Sequence, residues 1–384
     1  MTTITADRQA ALADLVEAVS QVEALTDQVG PFALYPDACD RVPELVAAVC
    51  RALRVPLSFD ARPTDRDFAL VAMGAEIQRA QRSPALADLR PGAIPDAVAE
   101  AKRRYDDENA GSRVHAVRRP DDTVLTAVEV GPVGAPWVLI SPPPSMSYRL
   151  SLPWLRALSP SHRCLIGQTR GTSERIDDPA DFDRRGSEVS DQAGDLLALL
   201  DELTTGPVHL MGICGGATVA LEVAARRPGR IASLSLWHPA LELGAEVPRT
   251  DHEANLRALV GLAGESRDTA AWLRDRLTSG PMTGVPGRVG PLVVRPYATT
   301  ELFYRYARLT GATMRWDSRR TAAAVSRPAL VVTSENDSTA HPAVARRLAE
   351  VMPGARLVVT GHGTHLDAFR ATAEQLGRLT SFLA

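Results

Sequence analysis

Residues 210–217 read LMGICGGA, which sets Cys214 between Gly212 and Gly216 in a G-x-C-x-G frame. The apolar run Pro207-Val208-His209-Leu210 precedes it, and a segment of helical composition, Thr218 to Arg227, follows. A strand, a glycine-flanked reactive residue and a helix make a sharp, strained turn, which requires small neighbours on both sides. The frame usually holds serine. Cysteine in its place points to chemistry on acyl thioesters or activated lactones, because a thiolate readily forms acyl intermediates.

A thiol needs a base to become thiolate, and the base needs an acid to orient it. The stretch LVVTGHGTHLDAF (357–369) offers His362 and His365 as bases. His365 is preferred because Leu-Asp-Ala-Phe and a helix follow it. The stretch LVVTSENDSTAHP (330–342) offers Glu335 and Asp337 as acids. Asp337 is preferred because Asp337 to Pro342 forms the frame D-x-x-x-x-P. His238, in LWHPAL after another apolar run, is read as a packing or substrate-contact residue.

These side chains need a scaffold, and the pattern supplies one. Arg113 to Val117 and Thr123 to Val130 alternate like strands around the turn Pro120-Asp121-Asp122. Short apolar runs follow at Trp137 to Ser141, His162 to Ile166, Ile231 to Trp237, Ala329 to Thr333 and Arg356 to Val359. Helical stretches lie between them, near Val189 to Leu203 and Ala343 to Val351, with one more at the C-terminus. Strands alternating with helices predict an α/β fold, a mostly parallel sheet with helices on both faces. Residues 241–326 lack strand alternation and are read as a helical lid. Residues 1–111 are read as a helical N-terminal extension, with an apolar stripe at Leu12, Leu15, Val16, Val19, Val22 and Leu25. Leu45 to Leu53 and Phe68 to Ile77 look similar. That segment holds 18 acids and 12 bases, a net of −6 within a chain of net −3. The contrast marks a boundary before the α/β region, 112–384.

The 384 residues are 45% apolar, enough for a large core. The near-neutral charge gives no reason to expect nucleic acid. No basic patch leads into an apolar leader, and no run approaches the roughly 20 apolar residues of a membrane span. A cytoplasmic protein is expected. Cys39, Cys50, Cys164 and Cys214 are scattered, which argues against a disulfide framework or structural zinc site. No metal and no cofactor are expected.

The elbow at 212–216, the acid near 337 and the histidine near 365, in that order, resemble the α/β-hydrolase superfamily. GQTRGTSER (167–175) is similar to that superfamily's D-x-R-G-x-G-x-S stretch. The resemblance implies an oxyanion hole with the Gly215 N–H as one donor. The second donor normally comes from the loop after the third strand, here Ser141-Pro142-Pro143-Pro144-Ser145-Met146. Proline has no N–H, so Ser145 or Met146 must supply it. Cysteine at the elbow with a Pro-Pro loop resembles the polyhydroxyalkanoate synthase branch, which uses a Cys-His-Asp triad on acyl-CoA. That branch implies His362 as the base, through Thr360-Gly361-His362. Dienelactone hydrolases also carry Cys at this place, on shorter chains.

Residues 288–327 hold eight arginines against two acids, a net of +6. A basic rim suits the phosphates of coenzyme A or of a carrier protein's phosphopantetheine. Tyr297, Phe303, Tyr304, Tyr306 and Trp316 either line an acyl pocket, Tyr304 and Trp316 as substrate contacts, or form the lid's own core. The leading reading is an acyl-cysteine enzyme, a thioesterase, cyclase or acyltransferase. The alternatives are an ester or lactone hydrolase of dienelactone-hydrolase type and a non-hydrolytic or non-catalytic use of the fold.

Overall fold

The computed structural model describes residues 6–29, 32–34, 43–59, 77, 80, 82–171, 179–278 and 290–384. The chain divides into two compact units, Met1–Gly111 with Ala271–Phe303, and Ser112–Ala270 with Tyr304–Ala384. In the first unit the helix Ala6–Val29 buries Leu12, Leu15, Val16, Val19 and Val22, the three-and-four spacing of one helical face. Helices Pro43–Leu53 and Ile94–Ala110 pack with it. Strands β1 (Phe32–Leu34) and β2 (Leu57–Phe59) pair in parallel. Cys39 and most of the Phe68 to Ile77 reading lie outside the described residues, as does the end of GQTRGTSER.

The second unit is built on an eight-stranded sheet. Its strands are β3 (Arg113–Arg118), β4 (Val124–Val130), β5 (Trp137–Ser141), β6 (Arg163–Gly167), β7 (Val208–Ile213), β8 (Ile231–Trp237), β9 (Ala329–Ser334) and β10 (Ala355–Thr360). Their order is β10-β9-β8-β7-β5-β6-β4-β3. All neighbours run parallel except at β3–β4 and β4–β6. Every residue of β5, β7 and β9 is buried, which explains their unbroken apolar runs. The β3–β4 hairpin alternates instead, and Asp121 Oδ1 accepts the Thr123 N–H at 3.0 Å in its turn.

The chain leaves β5 for β6 on one side and returns to β7 on the other. Such a reversal opens a crevice at the carboxyl ends of the strands, the usual ligand site of open α/β sheets. Cys214 is the first residue past β7. The stretch 241–326 forms helices at Asp251–Ala263, Arg267–Thr278, Gly290–Val294, Thr300–Arg315 and Arg319–Ala324. Its residues 271–303 belong to the first unit and the rest to the sheet unit, so it is divided and not one insertion. Among the described residues no helix is long and apolar enough to cross a membrane.

Candidate active site

Cys214 has φ +53, in the left-handed region that few side chains adopt. Its N–H donates to the Trp237 carbonyl at 3.0 Å. Its carbonyl accepts from Ala217 at 3.1 Å and Ala240 at 3.3 Å. The glycines are required by space. A Cβ on Gly212 would meet Ala217 Cα at 2.7 Å, and one on Gly216 would meet the Ser141 carbonyl oxygen at 2.2 Å. The helix Gly216–Arg226 begins two residues past the sulfur, so the positive end of its dipole faces the site. Cys214 is half-buried, whereas Cys50 and Cys164 are buried. Burial pushes both of those thiols up to about 12, which makes them inert.

The structure brings His365 and Asp337 to Cys214. The His365 Nδ1–H donates to Asp337 Oδ2 at 2.9 Å, and the His365 imidazole interacts electrostatically with the Cys214 sulfur. Burial pushes His365 toward its neutral form, but the Cys214 sulfur and the Asp337 carboxylate outweigh it and raise it to about 10. Asp337 follows β9 ahead of the helix Pro342–Val351. Its Oδ1 accepts the N–H groups of Thr339 and Ala340, each at 2.9 Å. Burial alone would raise its carboxyl, yet the bonds from His238 and His365 hold it well below the ordinary carboxylate range.

His238, expected as a packing or substrate-contact residue, is buried and reaches Asp337. Its Nδ1–H donates to the same Asp337 Oδ2, at 2.7 Å, and its ring meets that of His365 edge to face at 5.7 Å between centroids. His238, Asp337 and His365 are also side-chain types that bind metals, with their ligand atoms within 4.8 Å. Both Nδ1 atoms, however, spend themselves as donors to the carboxylate, which leaves no lone pair there for a metal.

His362 lies apart. Its side chain is 73% exposed and stands 3.6 Å from Glu374. Its carbonyl accepts from the Thr360 hydroxyl at 2.8 Å, and the next carbonyl, of Gly363, accepts from Ser334 at 3.0 Å. These bonds pin the loop by its backbone. Thr364 and Asp367 then cap the turn His365–Phe369 reciprocally and carry His365 inward. The Thr-x-x-Asp spacing of that box was the sequence signal that separates the two histidines. Behind the turn, the Trp154 Nε1–H donates to the Ala368 carbonyl at 2.7 Å, and the Trp154 ring packs on Trp237 at 4.8 Å. Glu335 also points away, paired with Arg346.

The oxyanion side corrects the expectation for Ser145 and Met146. The Ser145 N–H donates to the Thr169 hydroxyl at 3.0 Å, and the Met146 N–H donates to the Pro143 carbonyl at 3.2 Å. The Ser145 hydroxyl is directed at the Arg305 carbonyl, 3.4 Å away. The loop closes on itself because Ser145 takes φ +62. The Gly215 N–H lies ahead of the helix that follows Cys214 and has no helical acceptor. A Cβ at Gly215 would lie 3.2 Å from the Pro144 ring and 3.6 Å from Thr313 Oγ1, the nearest hydroxyl.

The lid expectations change as well. Tyr304 is buried against Phe182, with Arg267 over its ring at 4.3 Å and its hydroxyl near Asp183 and Arg308. Trp316 closes the helix Thr300–Arg315, its N–H donating to Ala312. Among the described residues, neither hydrogen-bonds nor stacks on Cys214, His365 or Asp337. Arg295 and Arg305 are buried, so they form no rim, and Arg319 pairs with Asp317. Arg288 lies outside the described residues.

Known proteins share this fold. The alpha/beta hydrolase fold family matches residues 147–371, a span that contains Cys214, Asp337 and His365. Over 263 residues the chain is 28% identical to the protein named Putative carbamate hydrolase RutD of Variovorax paradoxus (strain S110), covering 66% of this chain and 94% of that one. Among solved structures, the enol-lactonase from Burkholderia xenovorans LB400 is 24% identical, with a TM-score of 0.53 over 71% of this chain and 99% of its own. A hydrolase from Pseudomonas aeruginosa PA01 is 21% identical, with a TM-score of 0.54 over 71% and 98%. At these identities the solved structures speak to the fold. The chain belongs to the alpha/beta hydrolase fold family.

Proposed function

We propose that this member of the family is a cysteine-dependent enzyme of acyl thioesters, which takes an acyl group onto Cys214 and passes it to water, a hydroxyl or an amine. The observation that supports it is the half-buried Cys214 beside His365, whose imidazole couples electrostatically to the sulfur and hydrogen-bonds Asp337. Asp337 occupies Nδ1–H, so Nε2 of His365 takes the thiol proton. The thiolate attacks the carbonyl carbon, and the carbonyl electron pair moves onto oxygen. The Gly215 N–H and the positive end of the following helix stabilise that oxyanion. Collapse breaks the bond to the leaving group, which recovers the proton from His365. The acceptor then attacks the acyl-cysteine with His365 as its base.

The spent N–H groups of Ser145 and Met146 favour a reactive acyl donor. Loss of one oxyanion donor costs about 3 kcal/mol at the transition state. Thioesters expel a stable thiolate and tolerate that loss better than amides or simple esters. The same shortage favours a second reading, hydrolysis of an activated lactone. Delivery on coenzyme A or a carrier's phosphopantetheine is part of the proposal, with the exposed Arg315 and Arg320 as phosphate partners.

Intact-protein mass spectrometry tests this with acyl-CoA, acyl-pantetheine and enol-lactone panels on the wild type and Cys214→Ala. A mass gain equal to the acyl group, absent in the variant, is expected. Turnover of lactones alone would select the second reading. Thioester turnover that survives Cys214→Ala would end the cysteine mechanism.

A further inference from the structure

Two histidines share one carboxylate oxygen, and only one of them serves the sulfur. The other, His238, is 4% exposed and adopts φ +46. A left-handed non-glycine residue persists only where its surroundings over-determine it, and such residues cluster at functional sites. Here the surroundings are the site itself. The His238 N–H donates to the Val332 carbonyl of β9 at 2.7 Å. On one side the Trp237 carbonyl accepts the Cys214 N–H, and on the other the Ala240 N–H donates to the Cys214 carbonyl. The strained backbone thereby delivers the ring to Asp337 Oδ2 at 2.7 Å, closer than the 2.9 Å of His365.

We propose that His238 is a positioning residue for the reactive pair, acting through Asp337. This rests on the reading of Cys214 and His365 as that pair. Oδ1 is held by the Thr339 and Ala340 N–H groups, so a donor on Oδ2 completes the set that fixes the carboxylate. His365 must gain and lose a proton in each cycle, and its bond to Oδ2 strengthens and weakens accordingly. His238 supplies a donor that does not take part in that cycle. It keeps the buried carboxylate charged and in place while His365 changes state. Among the described residues, His238 hydrogen-bonds Asp337 and meets His365 edge to face. His252 and Glu253, on the helix Asp251–Ala263, also feel the Asp337 charge. They stay constant across the variants below.

The test needs no substrate. Alkylation of Cys214 by iodoacetamide is followed from pH 5 to 9 by peptide mass spectrometry, with thermal unfolding as a fold control. Wild type is compared with His238→Leu, His238→Asn and His238→Gln. The Asn amide nitrogen overlays Nδ1, whereas that of Gln overlays Nε2. Loss of one hydrogen bond to a charged group is expected to slow alkylation at neutral pH about tenfold and to move the pH midpoint up by about one unit. His238→Leu and His238→Gln are expected to show this, and His238→Asn to stay within twofold of wild type. If the Leu variant does not fold, the Asn-against-Gln contrast carries the test. Equal rates and midpoints across the folded variants would overturn the proposal. Acyl-adduct formation by the wild type is read separately, so the two failures are distinguishable.

Discussion

Replacing Asp337 with Asn is expected to disarm Cys214 while leaving the chain folded. The carboxylate accepts four hydrogen bonds, two on each oxygen. An amide has one acceptor oxygen. If that oxygen keeps the Thr339 and Ala340 N–H groups, the amide NH2 faces two ring nitrogens that were themselves donors. Each ring must then present a lone pair at Nδ1 and carry its proton on Nε2. His365 in that tautomer offers an N–H to the sulfur and cannot take its proton, the same fault that costs about 10⁴ in a serine triad. Two charge-assisted bonds, each contributing about 1.5–3 kcal/mol, become neutral ones of about 1, so the loss of stability is roughly 1–4 kcal/mol. With its base in the wrong tautomer the thiol loses its proton acceptor, so alkylation at pH 7 should slow by roughly tenfold or more, read on the Cys214 peptide, with urea unfolding run in parallel. Alkylation at the wild-type rate and with the wild-type pH profile, in a folded variant, would refute the reasoning.

His362→Ala should leave alkylation of Cys214 within about twofold of wild type, since the side chain is exposed and outside the bonded chain; a loss comparable to His365→Ala would reverse the assignment of the base. Gly216→Ala should cost about 3 kcal/mol in urea unfolding, because its Cβ meets the immovable Ser141 carbonyl oxygen at 2.2 Å. Gly377→Ala, in the helix Ala373–Leu383 with nothing within 4 Å, should instead gain about 0.5–1 kcal/mol. His365 is raised from an ordinary 6.5 to about 10, so its contribution to stability is complete below pH 6.5 and is lost as pH rises through 10. The stability difference between wild type and His365→Gln should accordingly shrink across that window; a difference that grows with pH would contradict the assignment.

Most of the sheet was legible because buried parallel strands must be apolar throughout, as β5, β7 and β9 are. The elbow was legible because Gly212 and Gly216 have no room for a Cβ, and such a need shows directly in residue type. The bond from His238 to Asp337 was not legible, because it depends on a left-handed backbone that nothing in Leu-Trp-His-Pro signals. The proline loop announced missing N–H groups, but not that Ser145 and Met146 would spend theirs on Thr169 and Pro143. The arginine count is blind to burial for a related reason. Charge can be counted along a chain, whereas the burial of Arg295 and Arg305 is a property of packing.

The tryptophan pair behind the site gives the molecule an optical handle. Trp154 is bonded three residues past His365, and the Trp237 carbonyl holds the Cys214 N–H. Both rings are fully buried, with centroids 4.8 Å apart and planes at 52°. Indoles that close and that oblique couple their excited states, and the resulting dichroism depends steeply on their separation and angle. A group placed on the sulfur that shifts the backbone at 237 by a fraction of an ångström would change that couplet. Any such modification of Cys214, an alkylating label included, would then be readable in the ultraviolet spectrum in real time, without a coloured substrate.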